Sequence, residues 1–186
     1  MNLPQLAKEI EITHNYFKSR ASSAINVSLT VRNWLIGYQI VEFEQSGEDR
    51  AKYGDNLINE LANAINVDGL SSTNLKLFRQ FYFTYPQISQ TVSDVLSDPV
   101  IGQTLSDQYI ISANKGDNIK LPLNHINVNK NKVINENQIQ DIGVSSLQLI
   151  TNLSFSHIVE LLKIEDPIKR AFYEVETIRN TWSVRE

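Results

Sequence analysis

The feature that most constrains the fold is residues 53–86, whose pattern is typical of two amphipathic helices joined by a short turn. Over residues 55–65 the apolar side chains recur at helical spacing and share one face. Those side chains are Leu57, Ile58, Leu61, Ala64 and Ile65. The run Asn66-Val-Asp-Gly69 interrupts the pattern, and Gly69 can adopt the positive φ that a tight exit from a helix needs. The sequence therefore predicts one helix that ends in a glycine-bearing turn.

A second helix is predicted directly after this turn. Ser71 or Ser72 can cap it by accepting hydrogen bonds from its first free N–H groups, and Pro86 ends it. Its apolar stripe consists of Leu75, Phe78, Phe81, Tyr82 and Tyr85. A helix, a short turn with glycine and a second helix together have the outline of a helix-turn-helix, here over residues 55–85.

The free face of the second helix carries residue types that suit DNA contact. A helix that enters a DNA groove presents cations and amides on its exposed side. The candidate DNA-binding residues are Thr73, Lys76, Arg79 and Gln80. Phe83 also faces outward, and an exposed aromatic ring suits a protein contact at least as well. The pattern leaves open the alternative of two packed helices in an α-helical domain that does not bind DNA.

Composition limits the partners and the compartment. The 17 Lys and Arg residues against 21 Asp and Glu give a net charge of −4, which argues against non-specific coating of nucleic acid. Any DNA contact must therefore come from a local patch. The absence of cysteine excludes disulfides and thiolate metal ligands, and it fits a cytoplasmic protein. Neither a signal peptide nor a run of about 18 apolar residues is present, so no membrane partner is expected.

Two helices are predicted before the residue 53–86 pair. The first covers about residues 3–20, with Leu3, Leu6, Ile10, Thr13 and Phe17 on one face and charges on the other. The second begins at Ser22 or Ser23 and ends at Gly47. Its apolar residues exceed a single face, so it is either the central helix of a core or shared with a partner. The partner alternative predicts a homodimer.

The candidate residues for such a partner interface are three aromatic side chains. Trp34 and Tyr38 widen the apolar surface of the residue 22–47 helix, and Phe83 is the outward-facing ring of the later helix. Large aromatic side chains are enriched in protein–protein contacts.

Residues 87–150 differ in character from the rest of the chain. Eight of the 24 residues from Asn114 to Asn137 are Asn, and the apolar bursts are too widely spaced for a long helix. We interpret this segment as a variable insertion or linker between a helical domain at 1–86 and a helical segment at 151–186. Residues 108–121 are a candidate β-hairpin around Asn114-Lys-Gly-Asp117, which would form a wing beside the helix-turn-helix. The alternative is a loop or a partly ordered linker.

Helical signals return after residue 151. Ser154 or Ser156 can cap a helix to about Ile164, and Asp166-Pro167 is an N-cap followed by proline at the first helical position. In the helix that follows, we expect Arg170, Tyr173 and Glu174 to form a packed polar cluster between helices. The final Ser183-Val-Arg-Glu186 has the capping-box pattern, which predicts a further helix and hence a longer polypeptide.

Two blocks of this sequence resemble the N-terminal region of the YhcG-like family of bacterial nucleases. The first block contains Trp34-Leu-Ile-Gly37, Glu44-Gln-Ser-Gly47, Arg50-Ala-Lys-Tyr53-Gly54 and Gly69-Leu-Ser-Ser-Thr-Asn74-Leu75. The second contains Leu153-Ser-Phe155-Ser-His157, Asp166-Pro167, Arg170-Ala-Phe172-Tyr173-Glu174 and Trp182-Ser-Val-Arg-Glu186. The resemblance implies a helical, winged-helix-like N-terminal domain that precedes a PD-(D/E)xK nuclease domain. Phe155 stands where the family usually has Trp, and the Asn-rich middle does not match.

The residues of a nuclease site are missing from this sequence. A PD-(D/E)xK site needs an acidic residue and a Lys two positions after a second acidic residue, to hold a divalent metal and position the attacking water. Nowhere in the 186 residues does Asp or Glu stand two positions before Lys. We therefore predict no catalytic residue, metal ligand or cofactor in this chain.

The three histidines do not suggest a zinc site. His14, His125 and His157 lie far apart in the sequence and form no HExxH motif. We expect His157 to act as a helix cap or as a buried, hydrogen-bonded residue.

The sequence as a whole predicts a mainly α protein, a helical bundle that contains a helix-turn-helix. The predicted function is that of a bacterial, cytoplasmic, DNA-binding and targeting region that is non-catalytic by itself. Its expected partners are DNA, its own C-terminal nuclease domain and a second copy of the chain. The alternative function is a helical dimerisation or scaffolding module that positions the nuclease domain without contacting DNA.

Overall fold

The computed structural model describes residues 2–46, 56–89, 91–92 and 144–185. These ranges are helical apart from short turns and contain no strand, which confirms the mainly α class. The helices are α1 (Leu3–Ser46), α2 (Leu57–Ile65), α3 (Ser72–Thr84), α4 (Ser146–Asn152), α5 (Phe155–Leu162) and α6 (Pro167–Asn180). The candidate wing at residues 108–121 lies outside the described residues.

α1 is one continuous helix of 44 residues, about 66 Å long at the usual rise per residue. The predicted division at Ser22 or Ser23 is wrong. A serine can cap a new helix but does not stop an existing one, and neither Gly nor Pro lies between Pro4 and Gly37. Hydroxyl side chains are accommodated along this helix because they bond to the preceding turn, as Ser28 Oγ does with the Ala24 carbonyl at 2.8 Å.

The main core surrounds the second half of α1. Trp34 is 0% exposed, and its Nε1–H donates to the Tyr85 carbonyl oxygen at 3.0 Å, so it links α1 to the end of α3. The buried cluster comprises Val27, Val31, Trp34, Tyr38, Phe81, Tyr85, Ile88, Val92, Leu149, Ile150, Leu153, Ile158, Leu161 and Leu162. The sequence left two explanations for the broad apolar surface of residues 22–47, a central position in a core or a contact with a partner. The central position accounts for this surface.

α1 and α3 approach each other closely at Gly37. A Cβ atom placed on this residue would lie 2.0 Å from the Phe78 carbonyl oxygen and 3.1 Å from the Tyr82 Cβ. Only a residue without a side chain leaves room for the α3 backbone at this crossing. On the neighbouring surface Ile40, Ile58, Leu75 and Phe78 form a second buried cluster that attaches α2 to α1 and α3.

The local start and stop signals around α2 and α3 lie where the sequence predicts. Gly69 has φ of +84°, and Ser71 caps α3 by accepting from the Asn74 N–H at 3.3 Å. Asn66, with φ of +45°, is the left-handed C-cap of α2. The capping signals of the later helices are present too, since Ser154 precedes α5 and Asp166 accepts from two N–H groups of α6.

Both ends of the segment at 87–150 contribute to the main core where the structure describes them. Ile88, Val92 and Ile150 are fully buried. α4 begins in this segment, with a capping box between Ser145 and Gln148, and ends two residues beyond it. The division at residues 86 and 151 stays a prediction, but helices from both sides of it pack into one core.

Candidate nucleic-acid interface

α2, the turn and α3 form a helix pair that packs against the second half of α1. The two predicted helices are confirmed, while their use as a DNA-binding helix-turn-helix stays a prediction. A groove opens to solvent between the end of α2 and the start of α3. It is lined by Asn59, Ala62, Asn63, Asn66, Val67, Asp68, Gly69, Leu70, Ser71 and Ser72. Amides and hydroxyls dominate this lining, and Asp68 is its one carboxylate.

Three of the four candidate DNA-binding residues, Thr73, Lys76 and Gln80, are exposed to solvent. Thr73 and Lys76 are exposed on the first two turns of α3. Lys76 forms no ion pair with any residue of the described ranges. Its ammonium group is therefore available to an anion approaching from solvent.

Arg79 is held by the chain itself. Its Nε lies 2.9 Å from Glu44 Oε2 on α1, and the Arg79 side chain is 42% exposed. This Nε forms no hydrogen bond with a described residue, so the contact with Glu44 is that of an ion pair. The guanidinium carbon also lies 5.8 Å from the centre of the Phe83 ring. Glu44 therefore partly neutralises the positive charge of Arg79, which the sequence pattern assigned to DNA contact.

Gln80 also makes a contact within the chain. Its Nε2 donates to the Leu162 carbonyl oxygen at 3.1 Å, across 82 positions of sequence. Leu162 is the last residue of α5, whose terminal carbonyls have no partner inside that helix. Gln80 therefore satisfies a helix end, and no local sequence pattern signals such a distant pairing.

The three candidate interface residues lie in different environments. Trp34 is 0% and Tyr38 is 7% exposed, and both rings pack around Tyr82 in the core of this chain. They offer almost no surface to a second chain in this arrangement. Phe83 is 54% exposed, and its role in a protein contact stays a prediction.

A polar cluster is buried where α3 ends against α6. The Tyr85 hydroxyl donates to Glu174 Oε1 at 2.7 Å, and Arg170 Nε lies 3.8 Å from the same oxygen. Arg170 also lies over the Tyr85 ring and donates to the Ile164 carbonyl oxygen. The expected clustering of Arg170 and Glu174 is confirmed, while Tyr173 packs against the core. Tyr85 is the member that sequence reasoning missed, since its spacing indicated only an apolar stripe.

Burial controls the ionisation of this cluster. It raises the pKa of Glu174 above the ordinary value, and the hydrogen bond from Tyr85 and the charge of Arg170 oppose that rise. Burial also raises the pKa of Tyr85, and the neighbouring Glu174 adds to the effect. The buried Glu174 carboxyl accepts one hydrogen bond from Tyr85 and lies near the Arg170 cation, so it joins the end of α3 to α6.

His157 has the capping role expected from the sequence. Its Nδ1 accepts from the Ser154 N–H at 3.2 Å and from the Ser154 hydroxyl at 2.8 Å. Its Nε2 lies 3.1 Å from the Trp182 carbonyl oxygen, so this network assigns the neutral ring with the proton on Nε2. The imidazole joins the start of α5 to the segment after α6.

Within the described ranges, no three His, Asp or Glu side chains come together in a group that could hold a metal ion. No helix of these ranges has the length and apolar character needed to cross a membrane.

Comparison with known proteins places the chain in a family. Residues 9–104 match the family model of the DUF1016 N-terminal domain. The chain belongs to this family. It is also 33% identical over 168 residues to the Escherichia coli (strain K12) protein named "Putative nuclease YhcG". The match covers 88% of this chain but 37% of the relative, so the chain spans little more than a third of that protein's length. No solved structure matches.

The resemblance to the N-terminal region of YhcG-like proteins is thereby confirmed. α2 and α3 lie inside the range that matches the DUF1016 N-terminal domain, and α4, α5 and α6 follow it. The main core nevertheless contains residues from both parts. The matched domain and the three later helices are therefore packed as one unit.

Proposed function

We propose that this chain is the DNA-targeting, non-catalytic N-terminal region of a nuclease. The name of its Escherichia coli relative supports a nuclease as the context. The observation that carries the DNA contact is the exposure of Thr73 and Lys76 on the first two turns of α3, where Lys76 has no ion pair among the residues that the structure describes. In helix-turn-helix proteins the N-terminal residues of the second helix meet the base edges.

The start of α3 would meet the DNA in this proposal. The N-terminus of a helix favours anions because its free N–H groups and its dipole point toward them. Lys76 adds a cation one turn further along, and Asn59 and Asn63 line the adjoining groove with amides. Arg79 and Gln80 already contact Glu44 and Leu162 within the chain, so in this proposal they position α3 against α1 and α5.

In this proposal the catalytic parts of the nuclease lie in another domain of a longer polypeptide. The metal, the attacking water and the PD-(D/E)xK residues would reside in a C-terminal nuclease domain, with the whole protein in the cytoplasm. A contact that relies on one lysine of α3, on a chain of net charge −4, predicts weak DNA affinity. Targeting would therefore be a contribution added to the binding of the nuclease domain.

Titration of labelled duplex DNA with the chain at several salt concentrations tests this proposal. We expect affinity to fall steeply with salt, and Lys76→Ala to weaken binding and to reduce the slope of log K against log salt by about 0.9. Lys163→Ala is the matched control, because Lys163 is exposed at the C-cap of α5 and already paired with Glu160. Undetectable binding at low salt would overturn the proposal and favour the scaffolding alternative. Equal loss in both variants would mean that the α3 face is not the contact.

A further inference from the structure

The first half of α1 is a helix without a partner in the described structure. Every residue from 2 to 26 is exposed, although the segment carries large apolar side chains. Ile10 is 60% and Phe17 is 64% exposed. Large exposed apolar surfaces mark interaction sites in globular proteins. We call residues 3–26 the arm.

The apolar positions of the arm continue the buried seam of the same helix. They alternate in steps of three and four residues, which is the spacing of a coiled-coil seam. Five of the seven seam positions of the arm are apolar, namely Leu3, Leu6, Ile10, Phe17 and Ala24, and the other two are Thr13 and Arg20. The pattern continues through Val27, Val31, Trp34, Tyr38 and Val41. The last five are buried in the core, so one seam is covered along its second half and open along its first half.

The arm also needs packing to remain helical. Its 24 residues span about 36 Å and include Ile, Thr, Tyr, Phe and several Ser, which are mediocre helix formers. In proteins most helical stability comes from packing of the apolar face rather than from propensity. A partner helix along the seam supplies that packing.

We propose that the arm pairs with the arm of a second copy of this chain, in antiparallel orientation. The inference does not depend on DNA binding, because it concerns a surface at the opposite end of α1 from Glu44 and α3. It extends the covered seam of the core with the same type of helix contact. It also replaces Trp34 and Tyr38 as the interface, since those rings are already covered within one chain.

Arg20 decides the orientation. It occupies a seam position, so parallel arms would place two Arg20 side chains face to face in one layer. When two antiparallel arms overlap along their full length, residue 15 of one copy lies opposite residue 15 of the other. Arg20 of one copy then lies at the level of Ile10 and beside Glu9 of the other. By symmetry the antiparallel dimer contains two such contacts between Arg20 and Glu9, and both stabilise it. In the parallel dimer the two Arg20 side chains would repel each other.

The mass of the chain in solution tests the pairing. We expect sedimentation equilibrium to give twice the mass of one chain at micromolar concentration, and Ile10→Glu with Phe17→Glu to give the monomer. Both side chains are exposed, so the substitutions leave the core intact. The matched control is Asn15→Glu with Ser22→Glu, which adds the same charge on the opposite side of the arm and keeps the dimer. A monomeric parent chain, or a dimer that survives the seam substitutions, would overturn the proposal.

Cross-linking between introduced cysteines tests the orientation of the arms. The natural sequence has no cysteine, so only the introduced thiols can react. Ala7→Cys and Ala21→Cys place single thiols near the two ends of the arm and on the same flank. With a short bis-maleimide, antiparallel arms link these two variants efficiently only when they are mixed. Parallel arms would link each variant to itself, and that result would overturn the antiparallel assignment.

Discussion

At the scale of single residues, Tyr85 connects three parts of the chain. Its carbonyl oxygen accepts from Trp34 on α1, its hydroxyl donates to Glu174 on α6, and its own N–H closes the end of α3 on Phe81. Each bond involves a buried group whose loss of water must be compensated. Tyr85 therefore fills space in the core and also fixes the direction of the chain from the end of α3 to Ile88.

The buried carboxyl of Glu174 should make stability depend on pH. Its pKa in the fold lies above the ordinary value of 4.5, so the folded state binds the proton more tightly than the unfolded chain. That contribution is complete below about pH 4.5 and is lost as pH rises through the folded-state pKa. We expect the free energy of unfolding of the parent to fall relative to Glu174→Gln in this window, by up to about 1.4 kcal/mol per pH unit.

Urea unfolding of both proteins at a series of pH values measures this difference. Glu11→Gln, at an exposed position of α1 away from the seam, controls for the loss of one negative charge. A difference between the parent and Glu174→Gln that stays constant from acid to neutral pH would contradict the assignment of the raised pKa.

Gly37 should tolerate no side chain. Alanine at this position would place Cβ against the α3 backbone, and backbone cannot rotate away as a side chain could. We expect Gly37→Ala to lower the free energy of unfolding by about 1–3 kcal/mol, despite a gain of about 1 kcal/mol in helix propensity. Thermal unfolding checks this, with Ser22→Ala on the exposed part of the same helix as control. A variant as stable as the parent would show that α1 and α3 can separate without cost.

At the scale of elements, a start signal was informative only where the preceding helix also had a reason to end. α2 and α3 end where a left-handed Asn66 or a following proline forbids continuation. Ser22 and Ser23 offered only a possible start inside α1, and the helix continued through them. A residue that favours a helix start changes nothing when the preceding helix has no reason to end.

The N-cap of α6 should contribute measurably to stability. The Asp166 carboxylate accepts from Ile168 N–H at 2.8 Å and from Lys169 N–H at 3.3 Å. We expect Asp166→Ala to cost about 1 kcal/mol and Asp166→Asn to recover most of the loss. Urea denaturation measures both, and Glu165→Ala, the exposed acidic neighbour, is the control. Equal losses at both positions would indicate a general charge effect instead of capping.

At the scale of the whole molecule, the two halves of α1 lie in different environments. Its second half is the centre of a core that α3, α4 and α5 cover, and its first half extends from that core as the arm. The proposed DNA contact lies on α3 beside the covered half, and the proposed self-association uses the open half. The two proposals can thus be tested separately with Lys76→Ala and with the arm substitutions.

The sequence by itself determined the helices around the turn, their caps and the mainly α class, because these depend on hydrogen bonds and side-chain spacing within a few residues. It also indicated the polar pair Arg170 and Glu174 on one helix. Only the tertiary structure decided that Arg79 pairs with Glu44 and that Gln80 caps α5. It alone decided that the apolar seam of α1 is buried from Val27 onward and open before it. Periodicity indicates which face of a helix is apolar, but whether another helix covers that face depends on contacts between residues far apart in the chain.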